Sequence, residues 1–303
     1  MKWSAMSVPT LAPAPAPVRT RLIAAAMFTM FTMLPTLAIM LCQAADATAA
    51  TTCTLIVDAV TGATQVRIGA RCDERQTPAS TFKVPLAVIG FDSRILQDGD
   101  HPAWPYREEY AAWDELWKRT TTPTSWLRDS VVWYSQELTR RLGAAHFKEY
   151  VDRLDYGNRD VSGHPGRNDG LTTAWLSSSL RISATEQVAF VRRLVRQELK
   201  VSPAAIERTM AVMPTREVDG WRISGKTGTG NRRNADGSND RNRQVGWFVG
   251  WATRDGKTLV FARLIEDDKP EKVRGGWRAR DTLFADWPAL MAQAKVPAQA
   301  HDG

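Results

Sequence analysis

The segment STFKVPLAVI, residues 80–89, joins a serine and a lysine to a run of apolar side chains. The apolar side chains recur at helical spacing, so the segment predicts a helix that begins near Ser80. Pro85 is compatible with this helix because it falls within the first turns. A lysine three positions after a serine lies on the same helix face, so Ser80 and Lys83 are expected to be neighbours.

The elements around this helix follow the order strands, helices, strands and a final helix. Residues 53–58 and 64–70 predict two strands joined by a turn, and residues 245–253 and 258–265 predict a hairpin. Apolar spacing or capping residues predict further helices, at 123–142, 145–154, from 183, from 202 and at 281–291. This order predicts an α+β fold, an antiparallel sheet flanked by terminal helices with an inserted all-helical lobe at roughly residues 95–215.

The first 47 residues have the composition of an export signal. Arg19 and Arg21 precede an almost wholly apolar stretch at residues 22–41, and small residues around 45–47 fit a cleavage site. An uncleaved anchor is the alternative, because about twenty apolar residues can span a bilayer. We expect a cleavable signal at residues 1–47 and a single catalytic domain at residues 48–303. The mature protein is then expected in the periplasm without a stable membrane anchor.

Composition indicates a globular protein, because 43% of the residues are hydrophobic and 24% are charged. The net charge of +7 falls to +5 when residues 1–47 are removed. The chain has no dense lysine and arginine block with interleaved aromatic residues, so we expect a solvated basic surface and no nucleic-acid partner. The four histidines lack zinc-like spacing, so no metal is expected.

Cysteine usage agrees with export. Cys42 would be removed with the signal, which leaves Cys53 and Cys72 as an even pair on either side of the first predicted hairpin. A disulfide is predicted in an oxidising compartment, where its loop would contribute about 3 kcal/mol. Two free buried thiols are the alternative.

Four short motifs occur in a fixed order: STFK at 80–83, SVV at 130–132, YGN at 156–158 and KTG at 226–228. Together they supply two serines and two lysines that suit acyl transfer. Ser80 is the predicted nucleophile, and no histidine is placed to activate it as in a triad. Lys83 can act as its base once burial has lowered the lysine pKa. Ser130 is either a proton shuttle or a mid-helix hydroxyl bonded to its own backbone.

This set of motifs resembles the class D serine β-lactamases, or oxacillinases, within the wider penicillin-recognising family. The resemblance runs from about Cys53 to about Trp287 and includes DSVVWYSQ at 129–136, RISATEQ at 181–187 and QVGWFVGW at 244–251. Class A enzymes would show Ser-Asp-Asn as the second motif. The resemblance implies a hydrolase that opens the β-lactam amide of penicillins, with other β-lactams as further candidates.

The resemblance also implies a modified lysine. Lys83 would add carbon dioxide and serve as a carbamate base, so carbon dioxide or bicarbonate is expected and no other cofactor. Val132, Trp175 and Leu176 are expected to surround the carbamate, with Trp175 donating its indole N–H. A core tryptophan without this role is the alternative for Trp175.

Substrate binding is expected at the KTG motif. Lys226 supplies positive charge, Thr227 supplies a hydroxyl, and Gly228 permits close backbone approach. The resemblance implies that Thr227 and Arg280 hold the substrate carboxylate, and Arg274 and Arg278 remain alternatives to Arg280.

The oxyanion hole is expected to consist of the backbone N–H groups of Ser80 and Thr229. Tyr156 and Asn158 either support the junction of the two lobes or take part in catalysis. Polar residues 231–243 are predicted to form a flexible loop beside the site. A β-lactam sensor that acylates once and a penicillin-binding D,D-peptidase remain as alternative functions, and the sequence does not predict the oligomeric state.

Overall fold

The computed structural model of the chain describes residues 51–234 and 236–294. The predicted export signal at residues 1–47 therefore lies outside the described residues. Among the described residues, no helix combines the length and the apolar character that crossing a membrane requires.

A six-stranded antiparallel sheet has the strand order β2-β1-β6-β5-β4-β3. Its strands are β1 (Thr51–Asp58), β2 (Thr64–Ile68), β3 (Thr215–Val218), β4 (Trp221–Arg233), β5 (Asn239–Arg254) and β6 (Lys257–Glu266). Strand β1 pairs with β6, so the N-terminal hairpin adds to strands from the C-terminal part of the chain. The predicted α+β fold, with its helical insertion between the two groups of strands, is confirmed.

Helices cover both faces of the sheet. They are α1 (Lys83–Asp92), α2 (Pro123–Asp129), α3 (Val132–Leu142), α4 (Ala144–Arg153), α5 (Gly170–Thr173), α6 (Ala184–Val195), α7 (Pro203–Ala211) and α8 (Gly275–Gln293). Successive strand residues point to opposite faces. Trp247 therefore packs in the core beneath the inserted helices, and Phe248 packs in the core beneath α8.

Cys53 and Cys72 form a disulfide, as predicted, with an S–S distance of 2.04 Å. Both are fully buried, and the bond ties β1 to the segment that leads toward Ser80. The predicted capping box at the start of α6 is also present. The Ser183 hydroxyl accepts from the Glu186 backbone N–H at 3.1 Å, and the Glu186 carboxylate accepts from the Ser183 N–H at 2.9 Å.

The single helix predicted at residues 123–142 is wrong, because the chain breaks at Ser130. Helix α2 ends at Asp129, Ser130 adopts a left-handed conformation with φ of 60°, and α3 begins at Val132. The Trp126 indole N–H donates to the Ser135 hydroxyl at 2.9 Å, which joins the two helices across the break. Apolar spacing continues through the break, so it gave no sign of this interruption.

The flexible loop predicted at residues 231–243 is also wrong. Strand β4 continues to Arg233 and β5 begins at Asn239, with Arg232 opposite Asp240 and Arg233 opposite Asn239. The Asp240 carboxylate accepts from the Arg243 guanidinium at 2.5 Å. Polar side chains on this hairpin find partners in each other, so the extension needs no apolar core.

The final helix begins at Gly275, earlier than the predicted start at residue 281. Two glycines, Gly275 and Gly276, lie at its start and permit close packing on the sheet. A Cβ at Gly276 would lie 2.6 Å from the backbone oxygen of Gly228, and one at Gly275 would lie 3.0 Å from Cα of Gly246. Close approach, and not flexibility, accounts for both glycines.

Candidate active site

A cleft of about 480 Å³ opens between the inserted helices and the C-terminal half of the sheet. Residues singled out from four separate parts of the sequence line it: Ser80, Ser130, Val132, Leu176, Thr227 and Thr229. Three of the cleft residues, Ala79, Ser130 and Ser177, are non-glycine residues with φ of 47°, 60° and 59°. Such left-handed residues are uncommon and concentrate at functional sites, where the surrounding structure holds them.

Ser80 and Lys83 meet at the floor of the cleft. A short 3-10 turn at Ala79–Phe82 leads directly into α1, which places both side chains on one face. The Lys83 amine nitrogen Nζ lies 3.1 Å from Ser80 Oγ. Lys83 is fully buried, and this burial, aided by the positive charge of Lys226, holds the pKa of Lys83 well below its ordinary value. The structure thus favours a neutral amine that can accept a proton.

Phe82, the residue before Lys83, packs among the aromatic rings of Phe147, Tyr156 and Trp175. The ring of Phe82 stacks on that of Trp175 with 5.4 Å between centroids, and both side chains are fully buried. Thr77 fixes the loop that carries Trp175, because its hydroxyl donates to the Trp175 backbone oxygen at 3.0 Å. Trp175 Nε1 is a buried donor that has no acceptor within the described part of the chain. An unpartnered buried N–H is costly, so it calls for a partner.

Ser130 and Lys226 form a second pair across the cleft. Lys226 Nζ donates to Ser130 Oγ at 3.0 Å and to the Thr227 backbone oxygen at 3.1 Å. The pKa of Lys226 is lowered to about 7, chiefly by burial and also by the charge of Arg280, while the charge of Asp129 opposes this shift. The left-handed backbone of Ser130 ends α2 and leaves its hydroxyl facing the sheet. The alternative of a mid-helix hydroxyl bonded to its own backbone is therefore wrong.

The KTG motif lies within β4, where the neighbouring strand has ended. Strand β3 pairs only with Trp221–Ser224, so β4 becomes a local edge from Gly225 onward. A Cβ at Gly228 would lie 2.8 Å from the Pro78 backbone oxygen, so only glycine lets β4 approach the turn that carries Ser80. The Thr229 hydroxyl accepts from the Gly276 N–H at 2.9 Å and holds α8 against the same strand.

The three candidate arginines have different surroundings. Arg274 lines the cleft, and its guanidinium lies 3.1 Å from the Asp114 carboxylate. Arg278 is bound to buried Asp267 at 2.7 and 2.8 Å. Arg280 pairs with Asp281 at 2.8 Å and lies close enough to Lys226 to lower its pKa, but it is not among the described residues that line the cleft.

Several lining residues were given no role from the sequence, namely Trp113, Trp117, Arg241, Gln244 and Trp277, although Arg241 lies in the polar stretch 231–243 and Gln244 begins the QVGWFVGW stretch. They lie far from the four motifs along the chain, and no spacing rule connects them to these motifs. The structure connects Trp117 to the site, because its indole N–H donates to the Asp129 backbone oxygen at 3.0 Å, directly before Ser130.

The YGN motif supports the cleft from behind. Buried Tyr156 donates to the Gln187 side-chain oxygen at 3.2 Å, and Asn158 donates to the Ser179 backbone oxygen at 2.9 Å. Gly157 has φ of 57°, and a Cβ there would lie 2.1 Å from the Arg181 backbone oxygen. These contacts brace the segment after Leu176, which favours the structural reading of the motif over the catalytic one.

The β4–β5 hairpin is fastened to the loop after Leu176. The Ser177 hydroxyl accepts from the Asn231 N–H at 3.0 Å, and the Asn239 amide donates to the Ser177 backbone oxygen at 2.7 Å. Leu176 thus lies between Trp175, which stacks on Phe82, and Ser177, which is hydrogen-bonded to the β4–β5 hairpin.

Comparisons with known proteins agree with this geometry. The family model described as the penicillin binding protein transpeptidase domain matches residues 52–287. β-Lactamase OXA-9 of Klebsiella pneumoniae is 45% identical over 242 residues, which cover 79% of this chain and 88% of that protein. β-Lactamase OXA-1 of Escherichia coli is 38% identical over 231 residues, which cover 75% of this chain and 80% of that protein.

Among solved structures, that of OXA-427, titled a class D β-lactamase, has a TM-score of 0.75 at 47% identity. The match covers 80% of this chain and 99% of that one. The chain belongs to the penicillin-binding-protein transpeptidase family and, within it, to the class D β-lactamases. The resemblance drawn from the motifs is thereby confirmed.

The lowered pKa of Lys226 predicts how stability depends on pH. The folded-state pKa is about 7, whereas an unfolded lysine has a pKa of about 10.4. Between these values the unfolded state binds a proton that the folded state lacks, so Lys226 increasingly favours folding as the pH rises. We expect the free energy of unfolding of Lys226→Met, minus that of the protein that retains Lys226, to fall by a few kcal/mol from pH 7 to pH 10.

Urea unfolding of both proteins at several pH values measures this difference. Both proteins carry Lys83→Met, because the charge of Lys226 lowers the pKa of Lys83. The remaining titrating groups are shared, so their contributions cancel in the comparison. A difference that stays constant across this range would mean that Lys226 titrates in the folded protein as it does in the unfolded chain.

Proposed function

We propose that Ser80 is the nucleophile of a β-lactam hydrolase that acts on penicillins, with other β-lactams as further candidates. The observation that carries this proposal is the 3.1 Å contact between Ser80 Oγ and the amine of fully buried Lys83. A serine hydroxyl is a weak nucleophile at neutral pH and requires a base. A lysine whose pKa has been lowered by burial meets that requirement without a histidine.

In the proposed acylation step, carboxylated Lys83 takes the proton of Ser80 Oγ, and this oxygen attacks the strained lactam carbonyl carbon. The backbone N–H groups of Ser80 and Thr229 stabilise the negative charge that develops on the carbonyl oxygen. The C–N bond of the ring then breaks, and the nitrogen takes a proton from Ser130. Lys226, 3.0 Å from Ser130 Oγ, is positioned to return a proton to that hydroxyl.

Deacylation requires a base that activates water. The buried, neutral amine of Lys83 is suited to add carbon dioxide, and the resulting carbamate would supply a carboxylate as general base. Trp175 Nε1 supports this modification because it is a buried donor that lacks an acceptor. Val132 and Leu176 line the cleft and limit access of bulk water to the Lys83 side chain.

The substrate carboxylate would bind at the KTG motif. Lys226 supplies charge and Thr227, which lines the cleft, supplies a hydroxyl. Arg280 contributes positive potential beside Lys226, as its effect on the Lys226 pKa indicates. Arg280 pairs with exposed Asp281, whereas Arg278 is held by fully buried Asp267. Arg274, which pairs with Asp114, remains the alternative to Arg280.

Export to the periplasm forms part of the proposal. Residues 1–47 would act as a cleavable signal, and residues 48–303 would form the catalytic domain with its helical lobe at roughly 95–215. The Cys53–Cys72 disulfide supports an oxidising compartment.

Counting product per chain distinguishes the hydrolase from its alternatives. The mature protein is mixed with an excess of a chromogenic cephalosporin, and Ser80→Ala serves as the control. We expect many turnovers per chain for the wild type and none for the variant. A burst of about one product per chain that then stalls would contradict hydrolysis and indicate a sensor or a penicillin-binding peptidase, with Ser80 still acylated.

The unpartnered indole N–H of Trp175 leads to a second prediction. Trp175→Phe keeps an aromatic ring stacked on Phe82 but removes the N–H. We expect the concentration of bicarbonate needed for half-maximal turnover to rise by about tenfold, because a lost hydrogen bond to a charged group costs about 1.5 kcal/mol. Turnover should recover at high bicarbonate.

A matched control is Trp287→Phe, because Trp287 Nε1 is another buried indole donor without an acceptor in the described residues, but Trp287 belongs to α8 and packs in a different part of the core from Trp175. Its bicarbonate dependence should equal that of the wild type. Equal bicarbonate dependence for Trp175→Phe and the wild type would contradict a role of this N–H toward the carbamate.

A further inference from the structure

Asp129, the residue directly before Ser130, is anchored through its backbone. Its backbone oxygen accepts from the Trp117 indole N–H at 3.0 Å. Trp117 is itself fixed, because its own backbone oxygen accepts from the indole N–H of buried Trp133 at 2.9 Å. These two bonds hold the end of α2 where the chain turns into the left-handed conformation of Ser130.

The Asp129 carboxylate is shielded from solvent by two arginines. It accepts from the Arg128 guanidinium at 2.9 and 2.8 Å and also pairs with Arg119. Its side chain is 10% exposed, whereas those of Arg119 and Arg128 are 43% and 58% exposed. Burial raises the pKa of Asp129, but the bonds from Arg128 and Arg119 outweigh it and hold this pKa below its ordinary value. Asp129 is therefore ionised at neutral pH.

This carboxylate and the Lys226 amine lie on either side of one serine. Lys226 Nζ donates to Ser130 Oγ at 3.0 Å, and Asp129 is the next residue along the chain. Three charged groups act on this lysine from the elements packed against it: Lys83 of α1, Arg280 of α8 and Asp129 of α2. The charge of Lys83 depends on its carboxylation, and Arg280 opposes a positive charge on Lys226. Asp129 is the permanent anion of this group.

The two tasks of Lys226 in the reaction require its protonated form. A neutral amine can neither attract the substrate carboxylate nor return a proton to Ser130. Burial disfavours this form, so a nearby anion is needed to retain it near neutral pH. Arg119 and Arg128 partly neutralise that anion, so they limit its effect on the lysine.

We propose that Asp129 is a positioning residue for the Ser130–Lys226 pair: its carboxylate keeps Lys226 protonated, and its backbone oxygen, held by Trp117, fixes the Ser130 turn beside that amine. Arg119 moderates the charge of the carboxylate. This inference rests on the proposed function, because it concerns the protonation state in which the hydrolase binds its substrate.

The experiment compares the pH dependence of kcat/KM for benzylpenicillin in Asp129→Asn, Arg119→Gln and the wild type. Saturating bicarbonate keeps Lys83 in the same state, and the basic limb of the profile reports deprotonation of Lys226 in the free enzyme. We expect this limb to move to lower pH by about half a pH unit in Asp129→Asn, because an opposite charge has been removed. It should move to higher pH in Arg119→Gln, because the carboxylate then acts with less opposition.

The displacement corresponds to a fold-change that is easily measured. On the basic limb kcat/KM falls tenfold per pH unit, so Asp129→Asn should be about threefold less active there, beyond any loss that is independent of pH. A loss equal at every pH, or a displacement in the same direction in both variants, would overturn the electrostatic role. Arg119→Gln, a change at a half-exposed position, tests the proposal even if Asp129→Asn does not fold.

A matched control is Glu137→Gln on α3. Glu137 is a similarly shielded carboxylate, 16% exposed and paired with Arg141 at 2.8 Å, but it is not among the charges that act on Lys226. Its basic limb should coincide with that of the wild type, and an equal displacement would overturn the assignment to Asp129.

A second measurement does not depend on turnover. Carbon-13 NMR can follow the titration of the Lys226 side chain, with Lys226→Met to assign its signal, and it should show the same opposite displacements in Asp129→Asn and Arg119→Gln. Unchanged titration in both variants would overturn the inference. Normal displacements in a protein that turns over no β-lactam would instead overturn the proposed function.

Discussion

The burial of the Lys83 amine beside Ser80 is the constraint on which the rest of the site depends. An ammonium group in an apolar interior is costly, so the protein favours the neutral amine, and this neutral form is the one that can take a proton. The aromatic core of Phe82 and Trp175 maintains that burial. Thr77 and the YGN motif hold the Trp175 segment in place. Structural residues thereby control the chemistry through the pKa of one lysine.

Close backbone packing brings the second serine–lysine pair to the same cleft. Gly228 lets β4 approach the Ser80 turn, and Gly276 lets α8 approach β4. Ser130 reaches Lys226 only because α2 ends in a left-handed residue. Two buried lysines of lowered pKa thus face two serines from opposite walls. Burying two ionisable amines at the site costs folding free energy. Such a cost is usual at sites whose titrating groups must work near neutral pH.

The sequence predicted the elements whose signals are local. Helical spacing placed α1, the capping box placed α6, and turn residues placed the β5–β6 hairpin. Features that depend on distant partners were missed. The break at Ser130 depends on packing between Trp126 and Ser135. The early start of α8 depends on glycines of the strands, and the hairpin at residues 231–243 depends on local polar contacts such as those of Arg233 with the Gly237 backbone oxygen and of Arg243 with Asp240. The order of the motifs identified the site, but the residues at the rim of the cleft could be recognised only from the structure.

The mechanism proposed for deacylation requires that the buried Lys83 amine bind carbon dioxide. The most direct measurement is a carbon-13 NMR spectrum of the protein equilibrated with labelled bicarbonate, compared with that of Lys83→Ala. We expect a carbamate signal in the wild type that is absent from the variant and that is lost on acidification, because protonation of the amine releases carbon dioxide. A wild-type spectrum without a carbamate signal at neutral pH, in a protein that nevertheless turns over β-lactams, would contradict it.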